Sequence, residues 1–463
     1  MSFTANAKGG APANVSSAFA GCTVSPSVCN SKVVVCGWDL SHNAAGRAVT
    51  LIELYERAGA AEVSLVGCIF PKRSSELWAP LQGMPLQCDV IQVTNISRFF
   101  QEAEALVQRN PADIVHLSKP RLPNIVIGLL YKYLWGAKVV VDIDDEELSF
   151  VGAEQPFTGA LADDECPGDL SGKLATQLSV GLAPYFDGIT VSNPALQAVY
   201  GGEIIPHARD EKRYAPSLKR RIMNRELFGI PLDCKVVLFS GTPRKHKGIM
   251  DVALSLQALG RSDVLFVIVG DFPSSDPKEE LKAVRGINLK FIPGQPYWHT
   301  PDVVSIADCV VLFQDVSSLS ARYQTPAKLT DALAMGIRIL AQITPALEDL
   351  YEAGGFIDVT RDNLTEKLAE ALDKPVDSER SDARTLFLDR LSSAVVSTRL
   401  KAYVDGLDTN TLSARQPDQE KRFEPFRSTI LDVGTNGKGR LARPFVDFLQ
   451  QSAYSLITPK YRL

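Results

Sequence analysis

Residues 240–248 read Ser-Gly-Thr-Pro-Arg-Lys-His-Lys-Gly, so Arg244, Lys245 and Lys247 place three cations, with His246 among them, between Gly241 and Gly248. The run 236–239 before them is apolar. After them Ile249, Val252, Ala253, Leu256 and Leu259 recur at helical spacing. A strand, a tight loop and a helix start leave backbone N–H groups exposed at the positive end of the helix dipole. With three cations beside them, an anion, above all a phosphate, is the natural guest. Taken alone, the stretch also reads as a solvated basic loop. His116 ends another apolar run, where it serves either as a hydrogen-bonded core histidine or as a substrate contact. No Ser/His/Asp triad and no Cys/His pair is readable.

The elements that must position these groups alternate. Apolar runs at 32–38, 63–70, 90–93, 111–117 and 138–143 are separated by helical patterns at 47–58, 97–108 and 122–135. Each run is continuous rather than alternating, which predicts parallel strands covered on both faces. The runs at 188–192 and 203–210 close this first half, and the basic stretch 213–225 reads as a link. The pattern restarts at 236, with strands at 264–269, 289–292, 308–313 and 338–341 and a helix at 326–335. The expected fold is therefore α/β: two Rossmann-like, doubly wound domains facing a cleft. Ligands in such sheets lie at the carboxyl ends of the strands.

The expected division is a disordered N-terminus (1–30), a first domain (31–212), a second domain (226–377), a helix packing back on both (378–406), and a linker with a basic aromatic tail (407–463). Within 438–463, Phe445, Phe448, Leu449, Tyr454, Leu456 and Ile457 are interspersed with Lys438, Arg440, Arg443, Lys460 and Arg462. Docking of this tail on its own protein is favoured over contact with an anionic membrane surface.

At 463 residues the chain exceeds one ordinary core. Its 45% apolar and 22% charged content is that of a globular protein, and a net charge of -5 argues against a nucleic-acid partner. The eight cysteines form no CxxC pair, which points to reduced thiols in the cytoplasm rather than to a zinc site. No stretch reads as a transmembrane helix.

The ordered series of motifs resembles the GT-B fold glycosyltransferases of family 4 (glycosyltransferase group 1). In the second half these are the 240–249 loop, Val267-Ile-Val-Gly-Asp271, Ala307-Asp-Cys-Val-Val-Leu312, and Thr325-Pro-Ala-Lys-Leu-Thr-Asp-Ala-Leu-Ala-Met-Gly336. In the first half they are Asp113-Ile-Val-His-Leu-Ser-Lys-Pro120, Phe186-Asp-Gly-Ile-Thr-Val-Ser192 and the Ile205-Pro-His-Ala-Arg-Asp210 turn. The resemblance implies a transfer of sugar from a nucleotide-sugar donor, with retention and without metal or other cofactor, to a polysaccharide or lipid-linked acceptor. The enzyme would work in the cytoplasm, with a possible contact at the inner membrane face.

Carried over residue by residue, it implies that Lys247 and Arg244 hold the donor diphosphate, that Thr325, Pro326, Ala327, Lys328 and Leu329 offer the start of a helix to it, and that Asp331 binds ribose. Gly241, Gly270 and Asp271 would lie near the nucleotide. His116 and Ser118 would point into the cleft, and Gly46 and Arg47 would face phosphates or acceptor. Asp144 or Asp145 would lie near the acceptor; reading Asp142 and Asp144 as a metal-binding pair is disfavoured, since acids commonly close strands. The sequence departs from the family pattern at several positions. Ser118 replaces a histidine, Lys119 an acid and Thr242 an arginine, Tyr323 stands at the first of two paired acids, Asp331 stands for a glutamate, and the glycine pair of the first loop is reduced to Ala45-Gly46. These departures keep open a second reading, a non-catalytic GT-B scaffold or nucleotide-binding protein; a sugar-nucleotide epimerase is a weaker third.

Overall fold

The computed structural model describes residues 26–71, 74–157, 169–314, 316–375, 381–407, 419–433 and 439–455. Most of the expected disordered N-terminus, residues 158–168 of the first domain, and residues 456–463 of the tail lie outside them.

The first sheet is seven-stranded, in the order β3-β2-β1-β4-β5-β6-β7, and every pairing in it is parallel. Its strands are β1 (Lys32–Gly37), β2 (Glu62–Ile69), β3 (Cys88–Gln92), β4 (Ile114–Ser118), β5 (Lys138–Ile143), β6 (Gly188–Val191) and β7 (Glu203–Ile204). The second sheet, β10-β9-β8-β11-β12-β13, is also parallel. It contains β8 (Lys235–Ser240), β9 (Val264–Val269), β10 (Asn288–Ile292), β11 (Cys309–Leu312), β12 (Arg338–Ala341) and β13 (Ile357–Asp358). In each sheet the order reverses beside the first strand, between β1 and β4 and between β8 and β11. That crevice is where doubly wound folds bind ligands.

Helices cover both faces of each sheet. On one face of the first, the helix Ala45–Arg57 packs Ala48, Leu51, Ile52 and Tyr55 against Val33, Val35 and Leu65. The helix Ser393–Gly406 joins the same core through Val396, Leu400 and Val404, so the chain returns to the first domain after completing the second. The 213–225 stretch is more than a link. The helix Leu218–Leu227 buries Arg225, which donates to the Ile306 carbonyl at 2.8 Å and to Asp308 at 2.7 Å.

The region after residue 418 also departs from expectation. Residues 419–427, expected to be linker, lie in the helix Gln419–Ser428, and the chain continues into the helix Arg443–Ser455. Phe423, Phe426, Phe445, Val446, Leu449 and Ala453 are buried with Phe99, Phe100 and Val107 of the first domain. The Phe100 ring lies 5.7 Å from those of both Phe423 and Phe445. Each such ring removed from water contributes about 1.5–3 kcal/mol. The described apolar residues of this part of the tail therefore pack on the protein itself, the docking that the sequence favoured. No helix among the described residues is long and apolar enough to cross a membrane.

Candidate functional site

The carboxyl ends of β8 and β11 form a pocket lined by Phe239, Lys247, Val311, Leu312, Phe313, Gln314, Pro326 and Lys328. Two glycines let its walls meet. A Cβ on Gly270 would lie 2.2 Å from the Gly241 carbonyl oxygen, and one on Gly248 would lie 2.3 Å from that of Phe313. Gly248, at φ 67°, ends the turn Lys245–Lys247 and starts the helix Ile249–Leu259, a left-handed position that suits glycine. Lys247 is thereby held at the pocket wall while Arg244, Lys245 and His246 remain exposed, and Lys245 turns away to Glu280 at 2.5 Å.

Lys328 opens the second wall. It sits in the first turn of the helix Ala327–Ala334, whose cap residue Pro326 makes no side-chain bond; the Leu329 N–H donates to the Pro326 carbonyl at 2.9 Å, which leaves the N–H groups of Ala327 and Lys328 to face a ligand. The Lys328 ammonium lies 3.8 Å from the centroid of the Phe239 ring, a cation–π contact. Burial, then the charge of Lys247, push its pKa down to about 7. Burial likewise lowers that of Lys247, against the attraction of Asp145. Among the described residues neither ammonium makes an ion pair. Two lysines whose charge burial disfavours, gathered in a half-buried pocket beside a helix start, are arranged to receive an anion.

The other residues expected at the donor side are more scattered. Gly241 adjoins Lys328, since a Cβ there would meet the Lys328 Nζ at 3.7 Å. Asp271 is exposed, and its carboxylate accepts from the Gly294 N–H at 3.1 Å. Thr325 is buried and donates to the Ala346 carbonyl at 3.3 Å, and Leu329 points into the core. Asp331 is buried, and its Oδ1 accepts from Arg209 Nε at 2.6 Å, so the carboxylate expected to meet ribose is engaged in an ion pair.

On the facing domain several expectations are corrected. Arg47 does not face the cleft. It is buried, with Nε and Nη2 donating to the two oxygens of Asp142 at 2.8 and 2.7 Å, and with further bonds to the Ile205 and Pro206 carbonyls at 2.7 and 3.2 Å. Burial raises the pKa of Asp142, but the Arg47 charge outweighs it and the carboxyl stays below its usual range. His116 is a satisfied core residue. Its Nδ1 pairs with the Tyr55 hydroxyl at 2.9 Å and its Nε2 with Thr190 Oγ1 at 2.9 Å, and burial drives its pKa down to about 4. The Ser118 hydroxyl is buried with no hydrogen-bond partner among the described residues. Gly46 sits under the Trp78 ring, where a Cβ would find 3.5 Å of room.

Lys119, at φ 81°, adopts a left-handed backbone that is uncommon for a long side chain. This aims its ammonium among Asp144, Asp145 and Glu147 at 2.5, 2.7 and 3.0 Å. The three acids have the spacing of a metal site. Lys119 supplies the compensating cation itself. Burial pushes Asp144 up to about 7 despite Lys119, whereas for Asp145 the charge and hydrogen bond of Lys119 overcome burial and hold it at about 2.

The two halves are joined by polar contacts that sequence reasoning missed. Gln324 donates from Nε2 to Asp145 at 2.8 Å, while its Oε1 accepts from Lys247 at 3.2 Å. Asn193 donates to the Tyr323 carbonyl at 2.8 Å, and the Tyr323 ring packs against the cluster of Ile143, Val191 and Leu196. The place of the family's first acid thus carries an apolar interdomain contact.

Two parallel α/β domains with ligand crevices at both strand reversals define a GT-B fold. Residues 221–385 match the family described as Glycosyl transferases group 1, which spans the basic loop, the pocket and the Lys328 helix. The putative colanic acid biosynthesis glycosyl transferase WcaI of Escherichia coli K12 is 29% identical over 113 residues, 24% of this chain and 27% of that protein, so the matched segment spans about a quarter of the relative's length. Among solved structures, Anabaena HepE in complex with UDP and glucose superposes with a TM-score of 0.61 at 15% identity, covering 82% of this chain and 100% of that one. Sucrose-phosphate synthase from Thermosynechococcus elongatus gives 0.57 at 14% identity, covering 80% and 97%. The expected resemblance to group 1 glycosyltransferases and the expected GT-B fold both hold.

Proposed function

We propose that this protein is a glycosyltransferase that moves a sugar from a nucleoside-diphosphate sugar to a glycan or lipid-linked hydroxyl acceptor. The observation that carries the reading is the pocket between β8 and β11, where Lys247, Lys328 and the free N–H groups of the Ala327–Ala334 helix converge without an acidic neighbour in ion-pair contact. A diphosphate bound there would gain negative charge as the glycosidic bond breaks, and fixed cations in a partly dehydrated pocket stabilise that developing charge most. Arg244, exposed on the same loop, would reach the phosphates once they are in place. HepE was crystallised with UDP and glucose, which supports a uridine nucleotide as the first donor to try.

On the facing side, the Lys119 cluster and the Ser118 hydroxyl lie at the reversal between β1 and β4, the natural seat of the acceptor. Gln324 links that cluster to Lys247, so the two substrates would be held across one cleft from which water is excluded. Retention of configuration and reaction without a metal belong to this reading as expectations, as does a cytoplasmic location with peripheral membrane contact. The scaffold reading draws on Tyr323, which offers no acid to the cleft. Incubation with UDP-, GDP- and ADP-sugars, with release of nucleoside diphosphate followed by chromatography, separates the two. Slow donor hydrolysis that Lys247→Ala abolishes supports transfer. Nucleotide binding with no turnover across donors and acceptors supports a scaffold.

A further inference from the structure

Asp331 lies three residues beyond Lys328 on the Ala327–Ala334 helix, so the two side chains are neighbours along one helix face. A lone carboxylate there would draw the Lys328 ammonium toward itself and out of the pocket. Arg209 intervenes. It lies in the turn after β7, and its Nε donates to Asp331 Oδ1 at 2.6 Å, with both side chains almost completely buried. The arginine is fixed from several sides. Its Nη1 donates to the Ala208 carbonyl at 2.8 Å and to Thr50 Oγ1 at 3.3 Å, and its guanidinium lies 5.8 Å from the ring centroids of both Tyr214 and Tyr297. Its backbone N–H donates to the Leu391 carbonyl at 3.3 Å, and its carbonyl accepts from Ser393 at 2.8 Å.

We propose that Arg209 is a positioning residue for donor binding: by neutralising Asp331 it leaves the Lys328 ammonium free for the diphosphate. This rests on the transferase reading above and goes beyond it, because a residue outside the nucleotide-binding sheet then sets the charge of the donor pocket. Arg209 would touch neither substrate and act only through Asp331. The ion pair also ties the Lys328 helix to the first domain, since Thr50 belongs to the helix Ala45–Arg57.

The test is isothermal titration of UDP, GDP and ADP into the wild type, followed by titration of the tightest of these into Arg209→Met, Arg209→Lys and the double variant Arg209→Met with Asp331→Asn. Freed from Arg209, Asp331 should capture Lys328, and Arg209→Met should bind about tenfold more weakly, the loss expected for one charge-assisted contact. The double variant, with no carboxylate left to compete, should return to within about threefold of the wild type, and Arg209→Lys should lie between. A merely structural role for Arg209 would leave the double variant as weak as the single one, and a direct ribose contact by Asp331 would leave it weaker; either result overturns the proposal. So does wild-type affinity in Arg209→Met. If Arg209→Met fails to fold, the double variant, which holds no lone buried charge, decides through the same comparison. A wild type that binds none of the three nucleotides removes the transferase reading itself, and the proposal with it.

Discussion

Arg47 separates the structural account from the expectation that this residue faces the substrates. Arg47→Met keeps most of the side-chain volume but strands Asp142, a fully buried carboxylate, and takes away the donor to the Ile205 and Pro206 carbonyls. Asp142 Oδ1 would retain the Thr190 hydroxyl, 2.7 Å away, which cannot replace a positive charge. Breaking one side of a buried ion pair costs about 3–5 kcal/mol, and the orphaned carbonyls push toward the upper end. At about 2–4 °C per kcal/mol for a unit of this size, the Tm should fall by about 6–20 °C. The assay is thermal unfolding by circular dichroism, run beside nucleotide titration at a temperature where the variant is still folded. Affinity should stay within about twofold of the wild type. Adding Asp142→Leu should recover much of the lost stability, because replacing both members of a buried pair by apolar groups is often nearly neutral. An Arg47→Met protein that melts with the wild type yet loses nucleotide or acceptor affinity would refute the reasoning and return Arg47 to the cleft.

Three further outcomes follow from the same geometry. His116 has a pKa near 4 in the folded chain against about 6.5 when unfolded, so the unfolded state binds more protons between those values. Stability should therefore be lost as pH falls from about 6.5 toward about 4, and His116→Gln should flatten that part of a Tm–pH profile. Lys328 is depressed to about 7, and a bound diphosphate would raise it again, so affinity for a nucleotide sugar should weaken as pH rises above about 7; Lys328→Arg, charged throughout, should remove the dependence in titrations from about pH 7 to 9. Phe445→Ala should lower stability by about 3–5 kcal/mol, read by denaturant unfolding, because the ring is enclosed by Phe100, Phe426 and Phe448.

The parallel strands were legible because continuous apolar runs bounded by glycine and acids have few other uses; most of their ends fall within a residue or two of the expected ones, but β4 starts three residues late, β7 is only two residues long and β13 was not expected. Lys247 and Gly241 were legible for a local reason, since loop chemistry and helix start lie in one stretch of chain, whereas Lys328 entered through the family resemblance of residues 325–336. The failures at the site are long-range. Whether Arg47 faces water or Asp142 depends on a residue 95 positions away. The fate of Asp331 depends on Arg209, 122 positions away. His116 carries nothing in its own neighbourhood to reveal that Tyr55 and Thr190 would take both ring nitrogens. The helix Gln419–Ser428 was missed because it is polar along most of its length and contains Pro425, so only Phe423 and Phe426 announce a buried face. Lys119 did leave a signal, a cation where the family carries an acid, and its meaning needed the three carboxylates of the next loop.

The most direct test of the central claim is titration of UDP, GDP and ADP into the wild type, Lys247→Ala and Lys328→Ala, with melting temperatures recorded alongside. One nucleoside diphosphate should bind the wild type, and each variant, melting within a few degrees of it, should bind that nucleotide at least about tenfold more weakly. Equal affinity in all three proteins, or no binding to the wild type, would contradict a diphosphate site between β8 and β11.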